Sequence, residues 1–232
     1  MGYRGALRVF NINRDPSSWK KQETEPMRTI TFSGSKATVA SFDVFDKHIL
    51  TGHENGKVAL YAHDTEEGES GIDAELEIHQ VKAHTENVTD LQLGWDGTYI
   101  VTSSKDKTAH IIDASTLDVI KTYATDTPLN SAISLPTRPY VVMGGGQEAM
   151  SVTTTSARQG KFESRFWHKI FEEECARLPG HFGPINTLAV HPTGNAYASG
   201  GEDGYVRINW FDESFFKSRP YGPDFEIANE DQ

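Results

Sequence analysis

One order of events recurs along this chain about every 40 to 55 residues, the period of a four-stranded supersecondary unit. A short apolar strand leads through a turn to a second strand that ends in small residues. A tight turn carrying Asn, Asp or Gly follows, then a third, alternating strand and an outer one. The first copy reads as strands at 39–44, 48–52 and 57–62, and the second at 88–93, 98–103 and 108–113. The third reads as 130–135, 140–144 and 149–154, and the fourth as 185–190, 196–200 and 205–210. Outer strands fit 75–81, 118–123 and 162–173. The aligned turn residues Asn55, Asp106, Gln147 and Asp203 belong to types that suit the backbone of tight hairpins. A unit of this kind cannot bury both faces alone, so copies must stack on one another. The fold class is therefore all-β, a β-propeller of four-stranded blades.

Pieces of the WD signature sit at matching places. His84 and His181 precede the first strand of their copies, Asp106 and Asp203 lie in the tight turn, and Ser103 and Ser199 close the second strand. Buried polar groups must be paired, so these six residues are expected to form one hydrogen-bond network per blade. The Trp position of the signature reads Tyr61, Ile112, Thr153 and Asn209, and the Asp after it persists as Asp113.

At the start, residues 5–12 read as a third strand, with Phe10 at the Trp position, and 27–32 as a fourth. No first or second strand precedes them. The expectation is an open arc of about four complete blades plus part of another, spanning residues 1–218, with 219–232 a disordered acidic tail. A four-bladed ring completed by the N-terminal strands is the other arrangement. The polar stretches 15–26 and 64–74 read as solvated loops.

Composition narrows the function. A net charge of −11, with no Lys/Arg run longer than Lys20-Lys21, disfavours direct nucleic-acid binding. One cysteine, Cys175, allows no intramolecular disulfide, and no apolar run approaches the roughly 20 residues that span a bilayer. A cytoplasmic protein is the default. Gly144-Gly145-Gly146 lacks the spacing and the Lys of a phosphate loop, and reads as a turn between strands. The nine histidines show no zinc spacing, and one Cys cannot complete such a site, so no metal and no cofactor are expected. Glu172-Glu173-Glu174 and Glu202-Asp203 read as solvated strand and turn rather than acid/base pairs, and the triplet beside Cys175 disfavours a thiolate. No enzyme is expected.

Longer stretches carry a more specific signal. They include Gly144-Gly145-Gly146-Gln147-Glu148-Ala149-Met150, Gly160-Lys161-Phe162-Glu163, Gly180-His181-Phe182-Gly183-Pro184-Ile185-Asn186 and Gly200-Gly201-Glu202-Asp203-Gly204-Tyr205-Val206-Arg207-Ile208. Together these resemble the WD-repeat subunit i family of eukaryotic translation initiation factor 3, from about Met1 to Phe216. The resemblance implies a seven-bladed propeller without catalytic activity, of which this chain matches the C-terminal portion. It implies docking to subunits b and g, in a module that helps the small ribosomal subunit recruit messenger RNA and scan it. The alternative is a WD-repeat adaptor in another multiprotein complex. For subunit b, the expected docking residues are Ile111 and Asp113, with Lys105 and Lys107 adding charge pairing. Asp113 has a second reading, as the cap of its own turn.

Overall fold

The computed structural model describes residues 5–12, 15, 24–32, 34–63, 77–146 and 162–217. Among these residues the chain forms seventeen strands in five antiparallel sheets, followed by one short helix. Strand β1 (Gly5–Val9) pairs with β2 (Arg28–Phe32). The next sheet runs in chain order through β3 (Ala37–Phe42), β4 (His48–His53), β5 (Lys57–Ala62) and β6 (Glu77–Lys82). It is followed by β7 (Val88–Leu93), β8 (Tyr99–Ser104), β9 (Thr108–Asp113) and β10 (Val119–Ala124). A third four-stranded sheet holds β11 (Leu129–Ser134), β12 (Tyr140–Gly145), β13 (Glu163–His168) and β14 (Glu174–Pro179). The last sheet has three strands, β15 (Ile185–Val190), β16 (Ala196–Gly201) and β17 (Val206–Trp210), before α1 (Glu213–Lys217).

Most strands lie within one or two residues of their sequence-based placement, because apolar alternation and turn residues fix them together. The third unit needs a correction. Residues 149–154, read as its third strand, lie outside the described residues, as does Gln147. The strand paired to β12 is β13, with Tyr140 opposite His168 and Val141 opposite Trp167. The stretch read as the outer strand thus supplies the third strand, and β14 is the outer one. The WD position of this unit is Trp167, not Thr153; it aligns with Ile112, which pairs with Ile100 as Trp167 pairs with Val141. The glycine triplet is not a plain turn either, since Gly144 and Gly145 belong to β12.

The sheets stack in chain order. Each has a leading face, turned to the next sheet, and a trailing face, turned to the one before. Leu50, Val58 and Leu60 on the leading face of the β3–β6 sheet meet Ile100 and Ile112 on the trailing face of the next. Val101, Ala109 and Ile111 then meet Leu129, Val141 and Met143. Val142 and Phe166 meet Leu188 and Tyr197. At the other end Leu7, Val9, Ile30 and Phe32 cover Ile49, Ala59 and Tyr61. Every layer is a dry aliphatic and aromatic contact of the kind that supplies most folding free energy.

A second device couples the sheets. The first strand of each of the last four sheets carries a β-bulge at its second residue, at Thr38, Thr89, Asn130 and Asn186. A bulge re-aims one side chain out of the pleat. Thr38 Oγ1 donates to the Val88 carbonyl at 2.6 Å, Thr89 Oγ1 to the Leu129 carbonyl at 2.9 Å, and Asn130 Nδ2 to the Ile185 carbonyl at 2.9 Å. Each of these three bulged residues therefore latches onto the first residue of the next sheet. Beneath two of these latches a glycine makes room: a Cβ on Gly52 would sit 2.5 Å from Val88 Cγ1, and one on Gly144 would sit 2.6 Å from Ile185 Cγ2. On the last sheet the equivalent Gly200 meets only Thr187 Cγ2, at 3.1 Å.

This difference predicts unequal costs for one substitution. Gly144→Ala forces Ile185 out of its seat and should cost about 1–3 kcal/mol, the usual penalty of overpacking. Gly200→Ala should cost well under about 1 kcal/mol, because an exposed Thr187 side chain can rotate away. Urea denaturation monitored by circular dichroism measures both, and equal losses would contradict the cradle.

Candidate functional site

The polar residues that sequence reasoning singled out, Ser103 excepted, lie along the trailing faces and the rims. In the β7–β10 sheet the His84 ring is 1 % exposed and bonds in two directions. Its Nδ1 lies 3.2 Å from Asp106 Oδ2, and its Nε2 lies 2.9 Å from Thr102 Oγ1. Asp106 also accepts from the Thr85 N–H at 2.8 Å and the Thr108 hydroxyl at 2.6 Å. The partner on the second strand is therefore Thr102, not Ser103. Side chains alternate across a strand, and Thr102 shares the trailing face with His110, whereas Ser103 pairs with Ala109 and faces forward. Ser103 instead meets the bulged Thr89 at 2.9 Å.

Burial sets the charge state. Desolvation, helped by neighbouring His110, outweighs the pull of Asp106 and lowers the His84 pKa to about 4. Burial works to raise the Asp106 pKa, but the Thr108 hydroxyl, the Thr85 N–H and His84 hold it at about 2. At neutral pH the ring is neutral and the carboxylate ionised. Nδ1–H then donates to Asp106, and the Nε2 lone pair accepts from Thr102, so each polar group of the ring is satisfied.

The last sheet repeats the geometry. His181 Nδ1 is 3.0 Å from Asp203 Oδ1 and its Nε2 is 2.8 Å from Ser199 Oγ. Asp203 accepts further bonds from the Phe182 and Tyr205 N–H groups and from Arg207. Burial acts to raise its pKa, yet these donors hold it far below the carboxylate range. The β11–β14 sheet, which has no His before its first strand, reverses the charges. There Asp126 in the loop pairs with Arg165 on the third strand, and Arg165 is 3 % exposed. Arg165, His110 and Arg207 occupy matching places, opposite Met143, Thr102 and Ser199. In the β3–β6 sheet His53 Nε2 meets Thr51 at 2.9 Å, and burial, with the charge of Lys57, lowers its pKa to about 4.

The four residues expected to dock a partner do not form one patch. Ile111 is 7 % exposed and belongs to the contact with the next sheet. Asp113 Oδ1 accepts from the Ser115 N–H at 2.8 Å and the Thr116 N–H at 2.9 Å, which makes it the cap of its own turn. Lys105 and Lys107 lie in the turn at the other end of β9, roughly 20 Å from Asp113 at the rise of a strand. Lys105 Nζ donates to Asn130 Oδ1 at 2.8 Å, beside a latch. Among the described residues no three or more His, Cys, Asp and Glu side chains are arranged to hold a metal ion.

These networks make stability pH-dependent. The His84 pKa is lower in the folded chain than its ordinary 6.5, so the unfolded chain binds more protons between pH 6.5 and about 4. Stability is therefore at its full value above pH 6.5 and falls as the pH drops towards 4, by about 1.4 kcal/mol for each pH step of one inside that window. His84→Gln should cost about 1–3 kcal/mol at pH 7 and make stability fall less steeply with acid in that window. Urea midpoints between pH 7 and 4 test this, and an unchanged slope would show that His84 is not the titrating group.

Comparison with known proteins fixes the lineage. The family profile described as EIF3I matches residues 1–220. A protein of Mycosarcoma maydis named eukaryotic translation initiation factor 3 subunit I is 69 % identical over 232 residues, all of this chain and 67 % of the relative. Proteins of the same name are 50 % identical in Aspergillus oryzae and 53 % in Sclerotinia sclerotiorum. Each of those matches covers 93 % of this chain and 62 % of the relative, so the chain spans about two thirds of their length. The chain belongs to the family of subunit I of eukaryotic translation initiation factor 3.

Proposed function

We propose that this chain is a non-catalytic scaffold subunit of translation initiation factor 3, working in the cytoplasm as a WD-repeat propeller arc that docks partner subunits. The identity of 69 % along the whole chain with a protein of that name carries the reading. The structure supports it in kind. The meanders of strands are read as blades, and His–Asp pairs in two of them and an Asp–Arg pair in a third tie the preceding loop to the strands. Such a molecule offers rims and strand edges to partners rather than a reaction centre. Subunits b and g are the partners proposed, with the small ribosomal subunit reached through the assembled factor.

Affinity-tagged chain recovered from a fungal cell should bring down subunits b and g in near-equal amounts, read by mass spectrometry. Recovery of a different complex, with no factor 3 subunit in it, would favour the adaptor reading instead. We place subunit b at the rim that holds Asp113. There Asp113→Lys should lower recovery of subunit b at least threefold while the circular dichroism spectrum stays unchanged. Unchanged recovery would remove Asp113 from the contact.

A further inference from the structure

Each third strand ends on the same backbone bond. The second residue beyond its WD position donates its N–H to the turn between the first two strands of the sheet. His63 donates to the Lys47 carbonyl at 2.7 Å, Ala114 to Thr98 at 3.0 Å, Lys169 to Pro139 at 2.8 Å and Phe211 to Asn195 at 2.9 Å. After Ala114 and Lys169 the chain turns directly into an outer strand, β10 or β14. After Phe211 it forms α1 instead, and reaches back to the turn between β11 and β12.

α1 sits in a crevice at the rim between the β11–β14 and β15–β17 sheets. Phe211 stacks on Tyr197, with ring centroids 5.8 Å apart, and stands edge-on to Phe166 at 6.1 Å. Phe215 stacks on Phe211 at 4.2 Å and tilts against Tyr140 at 5.8 Å. Arg138 Nη2 donates to the Phe215 carbonyl at 2.9 Å. Its guanidinium lies 5.8 Å from the centre of the Phe215 ring and 5.7 Å from that of Phe216. Asp212 Oδ1 accepts from the Phe215 N–H at 2.8 Å and caps the turn.

Three features mark α1 as the occupant of this crevice and not as part of the core. A helix of five residues is far too short to hold by itself, so its order comes from its seat. None of its residues is buried, whereas Tyr140 and Tyr197 beneath it are 6 % and 1 % exposed. Its contact is that of a short helix laid in a groove by its aromatic anchors, a mode by which peptides dock on proteins. Because α1 is tethered, it acts at an effective concentration in roughly the millimolar range, which keeps the seat filled in the free chain.

We infer that this rim crevice is a docking seat for short helical segments in which an acidic cap is followed, three residues on, by two aromatic side chains, and that α1 fills it until such a segment of a partner protein displaces it. A fluorescent peptide of residues 212–219 is the probe, and its anisotropy against the full chain is the readout. The full chain carrying Phe215→Ala and Phe216→Ala together has lost its own anchors. It should bind the peptide at least about tenfold more tightly than the unaltered chain, in which α1 competes. Adding Arg138→Ala should reverse that gain, and a peptide with both phenylalanines replaced by alanine should not bind. Equal binding to the two chains, or none to the double variant while its circular dichroism spectrum is unchanged, would overturn the proposal. So would loss of the folded spectrum in the double variant, because α1 would then be core. Hydrogen exchange on the unaltered chain gives an independent reading: amides 213–217 should exchange at least about a hundredfold faster than those of β12 and β16. Equal protection would also overturn it. None of these outcomes depends on which initiation factor subunits bind the chain.

Discussion

The bulged residue at the second position of each first strand is the constraint from which the rest of the arrangement follows. One hydrogen bond of this kind contributes only about 1 kcal/mol net, so its importance is geometric. Thr38, Thr89 and Asn130 each bond the opening carbonyl of the next sheet, which fixes how far neighbouring first strands lie from one another. At that spacing the first side chain of the next sheet, Val88 or Ile185, presses onto the second strand of the sheet before. Gly52 and Gly144 are required there because any Cβ would collide. Once the sheets are that close, the trailing faces are dry, and His53 and His84 on them stay neutral. The second tie works in the same region: Ser131 Oγ donates to Asp90 Oδ2 at 2.5 Å and accepts from the Leu188 N–H at 3.0 Å, linking three sheets through one hydroxyl.

The polar networks show how one structural need is met by different chemistry. Two sheets use an imidazole between a carboxylate and a hydroxyl. The sheet between them uses Arg165 and Asp126, with acid and base exchanged between loop and strand. What is retained is a polar bond joining the loop before the first strand to the rest of the sheet, made to a carboxylate in each case. The cost of burial differs. A neutral His is expelled from water cheaply but fails on acidification, whereas the guanidinium keeps its charge at any pH in use. In the β7–β10 sheet, where burial holds the His84 pKa at about 4, acidification works against the network.

The fold was legible wherever period-2 alternation and a short turn coincide, as at Lys57–Ala62, Thr108–Asp113 and Ile185–Val190. It was not legible where the connection is long. The Gly144–Gly146 run imitates a hairpin turn, which placed the third strand of that unit too early and hid Trp167 at the WD position. His84, Asp106, His181, Ser199 and Asp203 could be grouped by repeat position alone. Ser103 could not, because two adjacent hydroxyls differ only in the face they take, and strand parity was the signal that separates them. The latch residues had no sequence signature, since a bulge is defined by the partner strand and not by its own residue type. Ile111 was misjudged for a related reason: an apolar residue next to an acidic one resembles a contact patch until the neighbouring sheet is seen to cover it.

Ile111 and Ile208 are the same residue at the same repeat position, and their difference is instructive. One lies under the β11–β14 sheet and is part of the core; the other lies on the last sheet and faces outward. Neither composition nor alternation distinguishes them, because in a stacked fold burial is a property of the neighbour. A position specified for sheet-to-sheet packing keeps its apolar side chain, its small partner and its latch residue wherever it falls in the series. The β15–β17 sheet therefore carries, at these positions, a face shaped to receive another sheet. Val206, Ile208 and Trp210 form such an apolar row, each more than half exposed.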